Sequence, residues 1–231
     1  NSRKLQIGVE ATKGTSVAAT AILRMTGTLE DARTLVFPDE QVGLLTATDR
    51  QYTSAYLGKL SMDGVATFEQ LPYILNASIH TDTGVAQDGA GSDYIRTYAF
   101  PTTAKNDIFT YTIEGGDDEQ EEQFTYGFVT EWSLSGVAGE AVMVGAEWVG
   151  REVAPGTKTG AISLAAVEEI LMSKGKLYID GTASTFGGTQ VASQWLEFEL
   201  NYTSGFQPVY TGDGEKYFTF EKCVGPEVEL T

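Results

Sequence analysis

Cysteine and histidine are almost missing from this 231-residue chain, which has one of each, Cys223 and His80. A single thiol excludes an intrachain disulfide framework and a cysteine-based zinc cluster, and a single imidazole removes most histidine metal sites. Their ordinary readings are a small packed thiol and a histidine on a loop. No metal and no cofactor are expected. Cations are scarce as well: 15 Lys and Arg stand against 32 Asp and Glu, a formal net charge of -17. Such a surface repels polyanions and lacks the counter-charge that tight phosphate binding requires, so ordinary DNA binding is disfavoured. Any oligomer must overcome the same self-repulsion with other contacts. No run approaches the roughly 18 apolar residues of a membrane span, and no charged segment leads into an apolar one as in a secretory signal. The expectation is synthesis in the cytoplasm with no membrane partner, which makes the Asn-x-Ser/Thr triplets at Asn76 and Asn201 chance occurrences.

What is present is strand and turn material. Hydrophobic residues make up 42%, with 26 Gly, 11 Tyr and 11 Phe, a globular profile tilted toward β structure. The length suits one domain spanning 1–231, and no repeat of 20 to 50 residues, low-complexity tract or linker divides it.

Along the chain, residues 1–30 mix small and β-branched types (GVEATKGTSVAATAILR) with neither period 2 nor 3.6, which predicts an extended arm ordered only by neighbouring subunits. Residues 56–66 read as a strand of modest quality. Thr67 and Gln70 have the spacing of a capping box opening a helix near 68–79, and Pro72 fits the first turn if the helix spans about 71–79. The Gly- and Asp-rich stretch 80–93 reads as a loop.

Strand signals then strengthen. Phe109, Tyr111 and Ile113 alternate with Thr110, Thr112 and Glu114; GGDDEQEE makes a hairpin tip; and Phe124, Tyr126, Phe128, Trp132 and Leu134 are expected on one apolar face. Residues 140–153 form a third strand, apolar on both faces in its first half. Leu164, Val167, Ile170 and Leu171 share a helical face, predicting a second helix near 163–174 that stops at Gly175. Half-buried strands are expected at 177–179, 194–202 and 216–223. The fold class is mainly β: an antiparallel sandwich or barrel with one or two short flanking helices.

Catalytic patterns are weak, and no enzyme is expected. Ser92-Asp93-Tyr94, Lys158-Thr159-Gly160 and the Ser173–Lys176 pair mimic a penicillin-interacting serine enzyme. Their order is wrong, because there the Ser-x-x-Lys pair comes first and opens a helix. Gly89–Tyr94 lacks the third glycine of a dinucleotide loop. The acidic run at Asp117, Asp118, Glu119, Glu121 and Glu122 lacks the spaced ligands and central glycine of a calcium loop and reads as a solvated tip. A jelly-roll glycosidase or lectin stays open, since Glu197 and Glu199 beside Trp195 stand about 7 Å apart on one strand face.

Three segments in series, IGVEATKGTSVAAT, TFEQLPYIL and YTIEGGDDEQEEQFTYGFVTEWSLSGVAGEAVMVGAEWVGREV, resemble the tail tube (major tail) proteins of long-tailed bacteriophages. The resemblance spans roughly residues 7–153: a Gly-x-Glu-x-x-x-Gly-Thr arm (Gly8, Glu10, Gly14, Thr15), a Glu-Gln-Leu-Pro helix start, and a strand block ending at Trp148–Arg151. The last third matches in pattern only. The resemblance implies hexameric rings stacked into a tube, with strands joined into a barrel across subunits and arms and loops bridging the rings. Its partners would be further copies, a tape measure protein, tail tip or terminator proteins, and DNA in transit; its location would be the virion, after assembly in the host cytoplasm. Six copies at -17 would carry about -100 per ring, a sign opposed to holding DNA on the wall. Glu131, Glu197 and Glu199 lie on the polar parity of their strands and are the candidate lumen-facing residues. Another virion protein, a decoration or terminator subunit, is the remaining alternative.

Overall fold

A computed structural model describes residues 2–45, 48–80, 85–91, 94–182, 185, 187–191 and 193–231. In chain order the elements begin with β1 Leu5–Val9, β2 Ala21–Leu23, β3 Thr26–Asp31, β4 Thr34–Val36, β5 Tyr52–Ala55 and β6 Gly58–Val65. The helix α1 Leu71–Ser78 follows, then β7 Val85–Gln87, β8 Tyr94–Arg96, β9 Tyr111–Gly116, β10 Glu121–Val137 and β11 Met143–Gly150. The last are β12 Ala154–Pro155, β13 Glu197–Thr203, β14 Phe206–Val209, β15 Phe220–Cys223 and β16 Glu227–Leu230. The expected class is found: mainly β, antiparallel, with one short helix.

The fold turns on β10, which belongs to two sheet halves. Its first part pairs with β9 and β12, and β9 continues through β1 to β2. Its second part pairs with β11 and β13, extending to β6 and β3 on one side and to β16 on the other. The halves face each other, since Ile7 and Ile113 of one share a buried cluster with Leu60, Met62, Val144 and Trp148 of the other. Tyr111 meets Trp148 edge-on at 5.7 Å across the gap. The α1 face bearing Ile74 and Ala77 closes that cluster.

Two bulges divide the hairpin's aromatic side chains, so the single apolar face expected for Phe124, Tyr126, Phe128, Trp132 and Leu134 is not formed. The register slips between Phe124 and Gly127 and again between Val129 and Glu131. Each slip inverts parity. Phe124, Trp132 and Leu134 therefore pack in the main core, while Tyr126 and Phe128 enter a second cluster with Ile108, Val149, Phe206 and Phe218 beneath β14 and β15. For the same reason β11 is covered on both faces at Trp148 and Val149 rather than in its first half, where Met143 is exposed.

Within the described residues, 2–30 are not an arm. They supply β1, β2 and most of β3, and Leu5 and Ile7 lie in the core. Their missing period has a physical cause, because β1 is buried on both faces and a strand covered twice has no reason to alternate.

The helix begins one turn after Thr67, with Pro72 in the first turn, but the capping box is not made. Gln70 instead accepts a bond from Arg24 N at 3.0 Å and donates to Ile22 O at 3.1 Å, tying β2 to the helix start. The helix expected at 163–174 is absent. Ile170 N donates to Ala66 O at 2.9 Å and its carbonyl accepts from Val142 N at 2.8 Å, so the segment is an extended bridge. These two bonds to neighbouring backbone outweigh a modest helical face, and a 3-10 turn at Met172–Lys174 is the remaining helical structure there.

The 80–93 loop contains β7, paired with β8; residues 81–84 and 92–93, including the Ser92-Asp93 string, lie outside the described residues. At 177–179 there is a single bridge, Tyr178 to Gln190, and the last expected strand is confined to β15. No helix among the described residues is long and apolar enough to cross a membrane.

Candidate functional site: an acidic sheet face

The second sheet half has one face on the core and one in solvent. Side chains directly opposite each other in antiparallel strands share a face, so the register reads that surface row by row. One row runs Thr28, Ser61, Glu147, Glu131, Thr203, Glu227; the next runs Thr26, Asp63, Gly145, Ser133, Asn201, Glu229. Glu199 follows opposite Ser135, and Glu197 opposite Val137. At the far margin Glu30 faces Lys59.

The three predicted residues Glu131, Glu197 and Glu199 are thus brought onto one face, all exposed. Sequence reasoning missed Glu30, Asp63, Glu147, Glu227 and Glu229; all but Glu30, which is followed by the exposed Asp31, alternate with buried or apolar neighbours or glycine. Their parity was legible; their adjacency depends on a register that the sequence does not display.

Among the described residues no ion pair engages Asp63, Glu131, Glu147, Glu197, Glu199, Glu227 or Glu229. Their bonds are to neutral groups: Asn201 donates to Glu199 at 3.0 Å, Thr26 to Asp63 at 3.3 Å, and Ser61 to Glu147. Glu131 stands directly opposite Glu147, a like-charge pair that costs roughly 1 kcal/mol or less in water and disfavours the sheet. Folding gains nothing from this arrangement. A continuous field of unneutralised carboxylates is suited to repelling polyanions, and lacks the means to hold one. No cluster of metal-ligand type is found among the described residues.

The glycosidase geometry changes in one respect. Trp195 is not beside the carboxylates, because its ring packs on Phe198 at 5.3 Å, on the core side of the strand.

The remaining predicted residues, Gly8, Glu10, Gly14 and Thr15, form a structural node within this chain. Backbone of Ala18 passes so close over Gly8 that a β-carbon there would lie 2.5 Å from its carbonyl oxygen. The buried Glu10 carboxylate accepts from Gly14 N at 2.7 Å, Thr110 Oγ1 at 2.7 Å, Thr112 Oγ1 at 3.1 Å and Tyr126 N at 2.8 Å. Thr15 N donates to Thr12 O, closing the turn that carries Gly14. Tyr126 has a positive φ of 59°, rare for an aromatic residue, and the bond from Glu10 pins this strained bulge.

The Lys158-Thr159-Gly160 string is likewise structural: Thr159 donates through N and Oγ1 to the buried Glu114 carboxylate, both at 2.7 Å.

No protein-family model matches the chain, and no curated protein matches it.

Proposed function

We propose that this chain is a catalytically inert, self-assembling subunit of a hollow tube of the phage-tail kind, with the acidic sheet face lining a channel through which DNA passes. The observation that carries this reading is the carboxylate face itself. A conduit wall must not retain its cargo, and fixed negative charge without countercharge opposes phosphate condensation.

Two further features support it. β3 and β16 terminate the acidic half, each paired on one side only among the described residues, and their outer edges fit strand pairing with a neighbouring copy. The β4–β5 hairpin leads into a tip where Phe37, Val42, Leu44 and Leu45 are exposed, apolar surface suited to contact between copies. In this reading the assembly is the virion tail, with hexameric rings, and its other partners are the tape measure and tip or terminator proteins.

Negative-stain imaging of the purified chain across a salt series tests this. Repulsion between subunits of charge -17 is screened as salt rises, so stacked rings or tubes should become more abundant. A chain that stays monomeric at every salt and protein concentration would sink the proposal. Glycan binding or glycoside cleavage by that monomer would move the assignment to the jelly-roll alternative.

A further inference from the structure

In a chain this acidic, cations that lie free are informative. Lys13, Arg33, Arg50, Lys158 and Lys174 are each held by a carboxylate. Arg3, Lys4, Lys59, Lys176, Lys105 and Lys222 are exposed and form no ion pair among the described residues, and Lys105 and Lys222 among them share one concave site. They flank one cleft of about 500 Å³ between the 100–106 segment and the β14–β15 hairpin. Its walls also carry Phe100, Phe220 and Val224, which are 38%, 41% and 61% exposed, and the half-buried Cys223. Glu221, also at this cleft, is buried and already neutralised by Lys13 at 2.7 Å. The cleft therefore presents apolar walls and two exposed lysines outside any ion pair, Lys105 standing also in the field of the Asp107 carboxylate.

The acidic tip between β9 and β10 has the matching character. Asp117 caps its own turn, accepting from Glu119 N at 2.9 Å and Gln120 N at 3.0 Å, so the tip is held in one shape before any contact is made. Glu119 projects into solvent, and the exposed Asp118 keeps one carboxylate oxygen free while the other accepts from Ser2 N at 2.9 Å. β9 starts at Tyr111, close after Asn106 on the cleft wall, and ends at Gly116 beside the tip. Six residues of strand separate the two by about 20 Å, so a chain cannot fill its own cleft with its own tip.

We propose that this cleft receives the Asp117–Gln120 tip of a second copy, with Asp118 and Glu119 meeting Lys105 and Lys222. The contact joins different surfaces of the two copies, so repeated head to tail it produces a ring or a filament. The proposal rests on the self-assembly reading above and names the contact through which copies join. Salt screens the charge attraction in this contact together with the general repulsion between acidic subunits, so the contact's own share is read from charge-reversal variants at one fixed salt concentration.

Cys223 provides the test, because it is the chain's single thiol and lines the cleft. In Glu119→Cys, mild oxidation should yield a ladder of dimers, trimers and higher species, with the 119–223 linked peptide identified by mass spectrometry. The same variant carrying Cys223→Ser should give nothing beyond a 119–119 dimer. Separately, Lys105→Glu with Lys222→Glu should weaken self-association at least tenfold, and adding Asp118→Lys and Glu119→Lys in the same chain should restore it. A Glu119→Cys chain that gives no 119–223 peptide, or charge reversals that leave association unchanged, would overturn the contact. Tubes seen without the 119–223 link remove this contact and leave the tube reading standing; the link without tubes does the reverse.

Discussion

Arg151 lies directly over Gly14: a β-carbon at position 14 would stand 2.3 Å from Nη1 of the guanidinium. The same guanidinium sits 4.7 Å from the Tyr126 ring and 4.5 Å from the Tyr217 ring, and donates to the carbonyls of Phe218 and Thr219 at 3.1 Å each. One cation thus ties the β14–β15 region to the bulge in β10, and the turn after β1 leaves room for it. The amino-terminal glycine motif and the Trp148–Arg151 block, far apart in sequence, meet at this point.

Gly14 also has a φ of +80°, where a side chain is strained whatever the space. Gly14→Ala should therefore destabilise the chain by about 2 kcal/mol or more, read as a lower urea midpoint. In Arg151→Ala the guanidinium's share of the steric penalty disappears while that of Tyr126 Cδ2, 2.9 Å from such a β-carbon, remains, so the double variant should lose less than the sum of the single ones. Additive losses, or a Gly14→Ala midpoint equal to the parent's, would contradict the contact.

Lys13, Glu221 and Tyr126 make a pH-sensitive tie in the same region. Burial pushes the Glu221 carboxyl up, but hydrogen bonds from Lys13 and Tyr126 outweigh it and hold the pKa below the ordinary value of 4.5. A depressed carboxylate contributes stability above the unfolded pKa and loses it as pH falls through the folded one. Burial lowers the Lys13 pKa, yet bonds to Asp107 and Glu221 raise it above 10.5, so its contribution is full below 10.5 and fades as pH rises further. Glu221→Gln should cost about 1.5–3 kcal/mol near neutrality. The gap in Tm between parent and variant should stay level from about pH 5 to 10 and narrow below about pH 4.5. A gap that widens in acid would show the sign to be wrong.

Trp132 is 7% exposed and stacks on Tyr202, with ring centroids 5.2 Å apart and planes at 19°. Trp132→Ala should cost on the order of 3–5 kcal/mol, as removal of a core aromatic does. Trp132→Phe should recover part of this, because its ring can still stack on Tyr202. Unchanged melting of the alanine variant would overturn the register from Glu131 onward.

Period-2 alternation made the β9–β10 hairpin legible, because each part of it has one face on a core. What alternation could not reveal is where parity breaks. The first break is at Tyr126, whose strained backbone is held by Glu10 from 116 residues away, and such a partner leaves no local mark. Two inversions cancel, so Phe124 and Trp132 face the same core as though no bulge existed, while Tyr126 and Phe128 serve another. Residues 1–30 failed as a strand signal for the opposite reason: β1 is covered on both faces and has no polar side to display. In 163–174 a helical period was present, but Leu164 is 60% exposed and the segment's backbone is claimed by Ala66 and Val142.

The acidic face gives the prediction closest to function. Replacing Glu131 alone by Lys converts the like-charge contact with Glu147 into an opposite-charge cross-strand pair, and should stabilise the chain by about 0.2–1 kcal/mol. That small gain, measured by urea unfolding, checks the register without reference to any tube. Replacing Glu131, Glu147, Glu197, Glu199 and Glu229 together by Lys turns the face basic while touching no core residue. Because exposed substitutions rarely shift stability by more than about 0.5 kcal/mol each, the five-fold variant should fold and assemble. Its tubes should then retain short duplex DNA at low salt and release it as salt rises, since lysines hold phosphate by displacing counterions. Lumen and outer wall are told apart by nuclease: duplex inside a tube is shielded, and duplex on the exterior is digested. Retained and protected DNA places this face on the channel, whereas retained but digested DNA places it outside. Variant tubes that bind DNA no better than the parent would remove the carboxylate face from any part in DNA passage.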